Sequence, residues 1–331
     1  MGKKIGFTYD LKTDHPVREG LPQDAYAELD VNETIEIVAK VIESGGHQVV
    51  RIGHAKNLLK RIDDLDVDIV FNLCEGISTR NRESEVPVIL DLYNIPFVGS
   101  DGLTLGLTLD KVMAKKAFIS DGVPTPKYFL ADKNTGLTGL DSMKFPFIVK
   151  PRYEGSSKGI SEASIVTDKK MLERQVKEVI QTYQQPALVE EFISGAEFTV
   201  LVLGNDKPYA LPSVQIQIKG NLVAGDLVYT SRRLDGTEIE YICPSKIPES
   251  LEMELRRISI LAYQSVDCRD FGRVDFRVDK EGRPYVLEIN PLPSFSTEDV
   301  FPLMAKASGM TYEELVLKII DIALTRYGLN G

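Results

Sequence analysis

An alternating stretch near the carboxyl end constrains the fold of this chain more than any other segment. Residues 272–290 read Gly-Arg-Val-Asp-Phe-Arg-Val-Asp-Lys-Glu-Gly-Arg-Pro-Tyr-Val-Leu-Glu-Ile-Asn, which predicts two antiparallel strands joined by a turn at the central Glu-Gly pair. With that centre, Asp275 lies across from Glu288. Arg273 then lies across from Asn290. Because side chains alternate between the faces of a strand, all four project to the same side of the hairpin.

The two faces of this hairpin differ in chemistry. We expect the opposite face to join the core through its apolar residues, which are Val274, Phe276, Leu287 and Ile289. The polar face combines two carboxylates, an amide oxygen and a guanidinium. Mg²⁺ prefers hard oxygen ligands, usually one or two carboxylates together with substrate phosphate. Taken alone, the segment is equally compatible with a magnesium–phosphate site and with a solvated polar face.

Composition narrows the class of protein. The chain has 331 residues, enough for two or three domains. Its net charge of −10 argues against nucleic acid as a partner, and no apolar run approaches the roughly 20 residues that span a bilayer. The first residues lack a signal-peptide core, and three widely spaced cysteines are typical of reduced thiols. We therefore predict a cytoplasmic protein with neither membrane nor nucleic-acid partners.

Strand and helix signals alternate over the first hundred residues, which predicts a small doubly wound α/β domain. We expect strands at 4–8, 48–52, 68–72 and 96–98, helices at 32–44 and 83–93, and a linker over 100–109. A helix at 110–120, a strand at 145–150 and a helix at 169–182 form a second unit. The last unit is rich in strands, with strands at 187–192, 197–203 and 209–218 and helices at 249–265 and 312–326. The predicted domains are 1–105, 106–185 and 186–331.

A second candidate for chemistry is the loop Glu154-Gly-Ser-Ser-Lys-Gly159, here called the flap. Its glycines permit close approach of backbone N–H groups to a phosphate, and its hydroxyls and lysine are further donors. It lacks the Gly-Lys-Ser/Thr ending of a Walker A loop, and glycine-serine loops are more often plain connectors. Lys150 ends the preceding strand, where its amine can either reach solvent or bind a phosphate.

Two glutamates follow in the segment 188–197. Glu190 and Glu197 stand at the junction of two predicted strands. The exocyclic amine of adenine needs an acceptor, and ribose hydroxyls pair well with a carboxylate. A charged turn is the simpler interpretation of this segment by itself.

Taken in order, these motifs resemble the ATP-grasp superfamily, and within it the D-alanine–D-alanine ligase family. The resemblance rests on Lys111, Lys150, the flap, Val-Glu-Glu-Phe-Ile-Ser-Gly-Ala-Glu-Phe-Thr-Val, and Gly-Arg-Val-Asp-Phe followed by Leu-Glu-Ile-Asn-Pro-Leu-Pro. It covers residues 96–325 well and the first domain only in architecture. It implies three domains, α/β at the amino end and α+β in the ATP-grasp part, with ATP between the second and third.

The resemblance also implies roles for residues. Lys111 and Lys150 would contact ATP phosphates, Glu190 the adenine amine beside the backbone of Glu191, Phe192 and Ile193, and Glu197 the ribose. Two magnesium ions, with Mn²⁺ as an alternative, would bind Asp275, Glu288 and Asn290. Ser156 and Ser157 would close over the γ-phosphate, and Arg273 would stabilise the tetrahedral intermediate. The implied reaction activates a carboxylate as an acyl phosphate, which an amine attacks to give an amide. Such relatives are often homodimers and can serve cell-wall synthesis.

The chain departs from the family where amino acids bind. Residues 71–83, ending at Glu83, replace the family's His-Gly…Gly-Glu-Asp-Gly segment. In the mobile loop the family's Lys-Tyr becomes Arg233 and Leu234, which keeps the cation and loses the phenol. After Asn290 the Pro-Gly turn becomes Pro-Ser294, and Asp299 takes the place of the serine that receives a substrate carboxylate. A carboxylate there would repel a second one.

We therefore predict an ATP-dependent amide ligase acting on small amino acids or amines. Its candidate substrate residues are Glu83, Ser294 and Asp299, and Arg233 is a candidate catalytic residue. One alternative is an ATP-grasp ligase for another acceptor, such as an L-amino acid, a basic amino acid or a diamine. The other alternative is a non-catalytic ATP-binding regulatory protein, although the retained magnesium carboxylates and Arg273 argue against it.

Overall fold

The computed structural model describes residues 2–16, 20–77, 79–134, 136–225, 227–230 and 238–330. Its described part contains three sheets, which follow one another along the chain. The first is parallel, as the predicted doubly wound architecture requires, and its strands lie in the order β2-β1-β3-β4. Those strands are β1 Lys4–Tyr9, β2 Gln48–Arg51, β3 Ile69–Leu73 and β4 Phe97–Val98, and the helices beside them are α1 Asn32–Ser44, α2 Ala55–Arg61 and α3 Glu85–Leu92.

The second sheet is antiparallel and small, in the order β5-β8-β6-β7. Its strands are β5 Tyr128–Ala131, β6 Phe147–Pro151, β7 Ile165–Val166 and β8 Ala187–Glu191. One helix, α6 Lys169–Tyr183, buries its apolar stripe against this sheet through Leu172, Val176 and Val179. The flap leaves the sheet at the end of β6.

The third sheet is also antiparallel and the largest, in the order β12-β11-β9-β13-β14 with β10 at the end of β9. Its strands are β9 Gly195–Leu203, β10 Tyr209–Ala210, β11 Val214–Ile218, β12 Ile239–Ile242, β13 Phe271–Asp279 and β14 Pro284–Asn290. The remaining helices are α4 Gly102–Leu109, α5 Lys111–Ser120, α7 Glu249–Ser265, α8 Phe301–Ala307 and α9 Tyr312–Arg326. The central strand β9 is buried along its whole length.

The hairpin of β13 and β14 has the predicted pairing near the site and an irregularity between the site and the turn. Arg273 lies opposite Asn290 and Asp275 opposite Glu288, as predicted. The register then shifts by one residue, so Phe276 faces Val286. The extra residue of this bulge is Leu287, which turns toward a cavity while Val286 is buried in its place. Placing Leu287 in the core was therefore wrong, because a bulge reverses the alternation of side chains.

The stretch 100–109, which we expected to be a linker, is the helix α4. Asp101 caps it by accepting hydrogen bonds from the N–H groups of Leu103 and Thr104. Its glycines permit close packing, because a Cβ at Gly102 would lie 2.5 Å from Cγ2 of Val88. Thr104 donates to the carbonyl oxygen of Val266 at 3.0 Å. Tertiary packing thus overrides the weak helix propensity of this glycine- and threonine-rich segment.

Several other boundaries also differ from the prediction. The expected strand 209–218 is two strands, since Pro212 has no N–H for a sheet ladder. Strands β5 and β12 and helices α2 and α8 were not predicted. Within the described residues no helix combines the length and apolarity needed to cross a bilayer. The three cysteines are unpaired, as expected.

Helix α9 joins the first sheet to the third. Its apolar residues share one core with α1, β1 and β3 and with Leu201, Leu203 and Phe271 of the third sheet. At its end, Arg326 donates to both oxygens of Asp270 at 3.0 and 2.7 Å and to the carbonyl oxygen of Phe97 at 2.8 Å. Asp270 is fully buried and also accepts from the N–H of Gly99. The proposed boundary between the first and last domains is therefore bridged by the carboxyl-terminal helix.

Replacing Arg326 tests this junction. Arg326→Ala leaves the buried Asp270 carboxylate without its cation, which we expect to lower the free energy of unfolding by about 3 kcal/mol, because breaking a buried pair costs roughly 3–5 kcal/mol and two neutral donors remain. Urea unfolding measures the change. Lys318→Ala, on the exposed side of the same helix, is the control. Equal stability of the two variants would contradict a structural role for the pair.

Candidate active site

A cavity of about 1570 Å³ lies where the three sheets meet. It is larger than the roughly 300–1,000 Å³ of common ligand pockets, which leaves room for more than one reactant. It brings together all but one of the predicted site residues: Glu83, Lys111, Lys150, Ser156, Ser157, Glu190, Glu191, Phe192, Ile193, Glu197, Arg273, Asp275, Glu288, Asn290, Ser294 and Asp299. The exception is Arg233, which lies outside the described residues.

The cross-strand cluster on β13 and β14 forms one wall. Arg273 donates to both oxygens of Asp275, from Nε at 3.1 Å and from Nη2 at 3.2 Å. Asn290 Nδ2 donates to Asp275 Oδ2 at 2.9 Å, and Thr199 on β9 donates to Asp275 Oδ1 at 2.6 Å. Burial and the nearby carboxylate of Glu288 raise the pKa of Asp275. A divalent cation beside it would relieve that repulsion.

The lysine of helix α5 meets this wall. Lys111 Nζ lies 2.7 Å from Oε2 of Glu288. Burial would raise the pKa of Glu288, but Lys111 and Lys150 outweigh it and lower that pKa to about 2. Asp110 fixes the start of the helix by accepting from the N–H groups of Val112 and Met113. The glutamate is thus held as a carboxylate, the form in which it can bind a metal.

The donor set fits magnesium with substrate oxygens completing the shell. The described residues contain no group of three or more histidine, cysteine or acidic side chains that could hold a metal by themselves. They offer Asp275, Glu288 and the Oδ1 of Asn290, whose amide nitrogen is already used. Mg²⁺ commonly binds through one or two carboxylates plus phosphates. The site therefore fits a metal that arrives with a phosphorylated substrate.

Glu190 lies between two lysines. Its Oε1 is 2.7 Å from Nζ of Lys115, and its Oε2 is 2.6 Å from Nζ of Lys150. Burial lowers the pKa of Lys115 to about 8 in spite of this carboxylate. Glu190 therefore holds the phosphate-binding candidate Lys150 in place, a function distinct from the predicted contact with adenine. The adenine contact stays a prediction.

Glu197 has a buried partner on the neighbouring strand. Arg277 Nε donates to its Oε1 at 2.8 Å, and the same guanidinium lies over the ring of Phe192 at 4.9 Å. Both Glu197 and Phe192 line the cavity. The predicted contact with ribose remains open to the second carboxylate oxygen, Oε2.

The flap turns sharply at its centre. Ser156 and Ser157 have φ values of +44° and +56°, a region that non-glycine residues rarely adopt. Both residues line the cavity. Lys158, which the sequence offers as a phosphate donor, instead pairs with Glu28 at 3.1 Å and with Glu154. Within the flap, Lys158 is thus held by acidic side chains, and binding of phosphate by the flap stays a prediction.

The acceptor side contains an unexpected ion pair. Asp299 Oδ2 lies 3.5 Å from Nη1 of Arg273, and its Oδ1 accepts from the N–H of Val300. Burial alone would lower the pKa of Arg273, but Asp275 and Asp299 raise it. Part of the charge of Asp299 is therefore already compensated. This pairing weakens the alternative of a basic acceptor, because the carboxylate that could attract one already has a cationic partner.

Glu83 lies in a 3₁₀ turn before α3 and faces the cavity from the first sheet. Its side chain is buried, and no hydrogen bond or ion pair within the described residues reaches its carboxylate. Burial raises its pKa to about 7 although Arg82 opposes the shift. Burial raises the pKa of Asp30, which lines the same wall, to about 7 as well. This end of the cavity is acidic and partly protonated near neutral pH.

Sequence reasoning missed two cationic partners that simple periodicity could have found. Lys115 is four residues after Lys111 and so lies on the same face of α5. Arg277 continues the alternation of Arg273 and Asp275 along β13. Glu28 carried no such signal, because its contacts join segments between 54 and 130 residues apart.

Comparisons with known proteins agree with this geometry. The sequence model of the family described as "D-ala D-ala ligase C-terminus" matches residues 120–321. The chain is 32% identical over 299 residues to the D-alanine–D-alanine ligase of Carboxydothermus hydrogenoformans, covering 88% of this chain and 92% of that protein. It is 36% identical over 302 residues to the uncharacterised protein y4sG of Sinorhizobium fredii, covering 89% and 88%.

The chain belongs to the D-alanine–D-alanine ligase family. Its fold also resembles the D-alanine–D-alanine ligase of Bacillus anthracis complexed with ATP, with a TM-score of 0.75, 24% identity and full coverage of both chains. The D-Ala:D-Ser ligase VanG of Enterococcus faecalis gives a TM-score of 0.75 at 21% identity, covering 98% and 100%. The ATP-grasp fold is confirmed, and the protein is an ATP-dependent ligase.

The burial of Glu83, which has no hydrogen-bond or ion-pair partner among the described residues, predicts a pH-dependent stability. Folding raises its pKa from 4.5 to about 7, so its contribution is complete below pH 4.5 and is lost as the pH rises through 7. A difference of about 2.5 units corresponds to about 3 kcal/mol. We expect Glu83→Gln to match the wild type near pH 4.5 and to exceed its free energy of unfolding by about that amount at pH 8.

Urea unfolding at the two pH values measures this difference. The control is Glu43→Gln, which removes an exposed carboxylate at the end of α1. A constant offset between Glu83→Gln and the wild type at both pH values would show that Glu83 ionises normally in the folded protein.

Proposed function

We propose that this ligase uses ATP and Mg²⁺ to join the carboxylate of one small amino acid to the amine of a second. The observation that carries the proposal is the cross-strand cluster in which Arg273, Asp275 and Glu288 face the cavity beside Lys111. This arrangement concentrates several charges around one point: a guanidinium, two carboxylates that can bind a metal, and an ammonium that can bind phosphate. Charge neutralisation and positioning are what acyl phosphate formation requires.

The nucleotide would lie between the second and third sheets. Lys111 and Lys150 would bind its phosphates, and the flap serines would cover the terminal phosphate. Backbone groups at Glu191, Phe192 and Ile193 would face the base, and Glu197 would accept from the ribose. These assignments are supported by their shared cavity and by the family to which the chain belongs.

Magnesium bound by Asp275, Glu288 and Asn290 would neutralise the phosphate charge and orient the reacting oxygens. The lysine–carboxylate pair of Lys111 and Glu288 would then separate, with the lysine turning to phosphate. Arg273 lies between the metal-binding Asp275 and the acceptor-side Asp299. It can therefore stabilise negative charge on the tetrahedral intermediate as the amine attacks.

The amino acids would occupy the part of the cavity lined by Glu83, Ser294 and Asp299. The pairing of Asp299 with Arg273 leaves no observation that favours a basic acceptor over a neutral amino acid. The three domain boundaries, the homodimer, a role in cell-wall synthesis and the cytoplasmic location remain predictions, as does a catalytic role for Arg233.

Removing either metal-binding carboxylate tests the mechanism. We expect Asp275→Asn and Glu288→Gln each to lower ADP formation on the order of 100-fold or more, because transition-state charge loses its preorganised partner. Omitting Mg²⁺ should have the same effect in the wild type. Glu281→Gln, an exposed change in the turn of the same hairpin, should leave ADP formation intact. Unchanged rates in Asp275→Asn would show that the metal binds elsewhere.

Phosphate release across a panel of acceptors tests the substrate. The panel comprises D-alanine, D-serine, L-alanine and lysine, each with ATP and Mg²⁺, and a diamine, which has no carboxylate and is therefore added together with each amino acid in turn. We expect D-alanine to support turnover and ATP alone to be stable, since without a carboxylate to accept the phosphoryl group and an amine to attack the acyl phosphate no product can form. Turnover confined to lysine or the diamine would overturn the proposal of a neutral amino-acid acceptor and restore the charged one.

A further inference from the structure

The flap is fastened to the first domain by two carboxylates, which we call the carboxylate clip. Glu28 Oε1 accepts from the N–H of Gly155 at 2.6 Å, and Asp24 Oδ2 accepts from the N–H of Gly159 at 2.8 Å. The clip therefore holds the flap close to both of its ends. Between these two points lie only the turn residues and Lys158.

The two clip residues are themselves fixed. Arg82 Nη2 donates to Glu28 Oε1 at 2.7 Å, and Lys158 Nζ lies 3.1 Å from Glu28 Oε2. Burial would raise the pKa of Glu28, but Arg82 and Lys158 outweigh it and lower that pKa. Tyr183 at the end of α6 donates its hydroxyl to Asp24 at 2.9 Å. Glu28 is thus an anion whose charge is compensated without help from any ligand.

The clip is tied to the first sheet through the segment that carries it. Lys12 N donates to the carbonyl oxygen of Asp30 at 3.0 Å, and Asp30 N donates to the carbonyl oxygen of Asp10 at 3.0 Å. These bonds join the end of the clip segment to the chain just after β1. Contacts with the first domain, and not only with its own sheet, therefore fix the position of the flap.

Two N–H groups of the flap have no acceptor among the described residues and could bind a ligand. Those of Ser156 and Ser157 make no hydrogen bond within the described residues, whereas the N–H groups of Gly155, Lys158 and Gly159 are all satisfied. Successive N–H groups in a turn of this kind form a concave anion site. Both serines line the cavity that Lys150 also lines.

We propose that Asp24 and Glu28 are positioning residues that hold the flap so that the N–H groups of Ser156 and Ser157 bind the terminal phosphate of the nucleotide. This inference rests on the proposed ATP-dependent function and adds a contribution from the first domain to phosphate binding. Carboxylates suit the task because hydrogen bonds to an ionised acceptor are roughly twice as strong as neutral ones. The left-handed φ values of both serines need such external support.

The spacing at Gly155 supports a close fit between clip and flap. A Cβ at this position would lie 2.7 Å from Oε1 of Glu28. Gly155→Ala should therefore displace the carboxylate without removing any charge. This variant should therefore open the clip without replacing either Asp24 or Glu28.

Limited trypsin digestion without any nucleotide tests the clip directly. Lys158 is 8% exposed in the fastened flap, so cleavage after it requires opening. We expect Asp24→Ala, Glu28→Ala and Gly155→Ala each to speed this cleavage about tenfold, because each removes or displaces a charge-assisted bond and cleavage follows the open population. Cleavage after the exposed Lys280 is the internal reference. Asp14→Ala, an exposed change in the same amino-terminal region, is the control.

Nucleotide binding then shows whether the clip positions the flap for phosphate or only keeps it closed. In the three variants we expect the affinity for ATP to fall about tenfold while the affinity for AMP, which lacks the terminal phosphates, stays unchanged. Cleavage after Lys158 that is no faster than in the wild type would overturn the clip. Faster cleavage with unchanged ATP affinity would overturn its role in phosphate binding. A wild type that binds no ATP would refute the proposed function, while the digestion would still decide whether the clip exists.

Discussion

The structure of this ligase depends on compensating buried charge in a cavity that must attract both phosphate and metal. Lys111 is paired there with Glu288, Lys150 with Glu190, and Arg277 with Glu197. An isolated buried charge would cost several kcal/mol, and removing one partner of such a pair is strongly destabilising. The pairs therefore stabilise the cavity. The same pairs contain the groups that substrate binding needs, because a phosphate can bind the cation of a pair and a metal ion can bind its carboxylate.

The sequence predicted the parts of this arrangement that follow local periodicity. Alternation along β13 and β14 placed Arg273, Asp275, Glu288 and Asn290 on one face, and the helices at 32–44, 249–265 and 312–326 were found with their observed bounds. The cross-strand pairing near the site is correct although the register at the turn is not. The single-residue bulge at Leu287 compensates for that difference, and alternation alone cannot reveal it.

What the sequence could not show depends on contacts between distant segments. Helix α4 was missed because its glycines signal a loop locally, whereas in the fold they allow the helix to pack against Ser84 and Val88. The partner of Glu190 was missed because nothing in the segment 188–197 refers to α5. The ion pair of Lys158 with Glu28 could not be foreseen for the same reason, since it spans 130 residues. In each case the local sequence pattern does not include the tertiary contact that determines the structure.

The cavity has two parts that differ in how they are supported. The residues proposed for the metal and the two lysines proposed for phosphate lie on strands and on a capped helix, and their partners lie on neighbouring elements of regular structure. The flap serines are the exception, since they lie in a turn. Ser294 and Asp299 instead lie in the loop between β14 and α8, and Glu83 lies in a short turn before α3. Loops tolerate change at lower cost than strands that share a ladder. A scaffold of this kind can keep the activation of a carboxylate fixed while the choice of amino acids changes, and the departures from the family at Glu83, Ser294 and Asp299 fit this division.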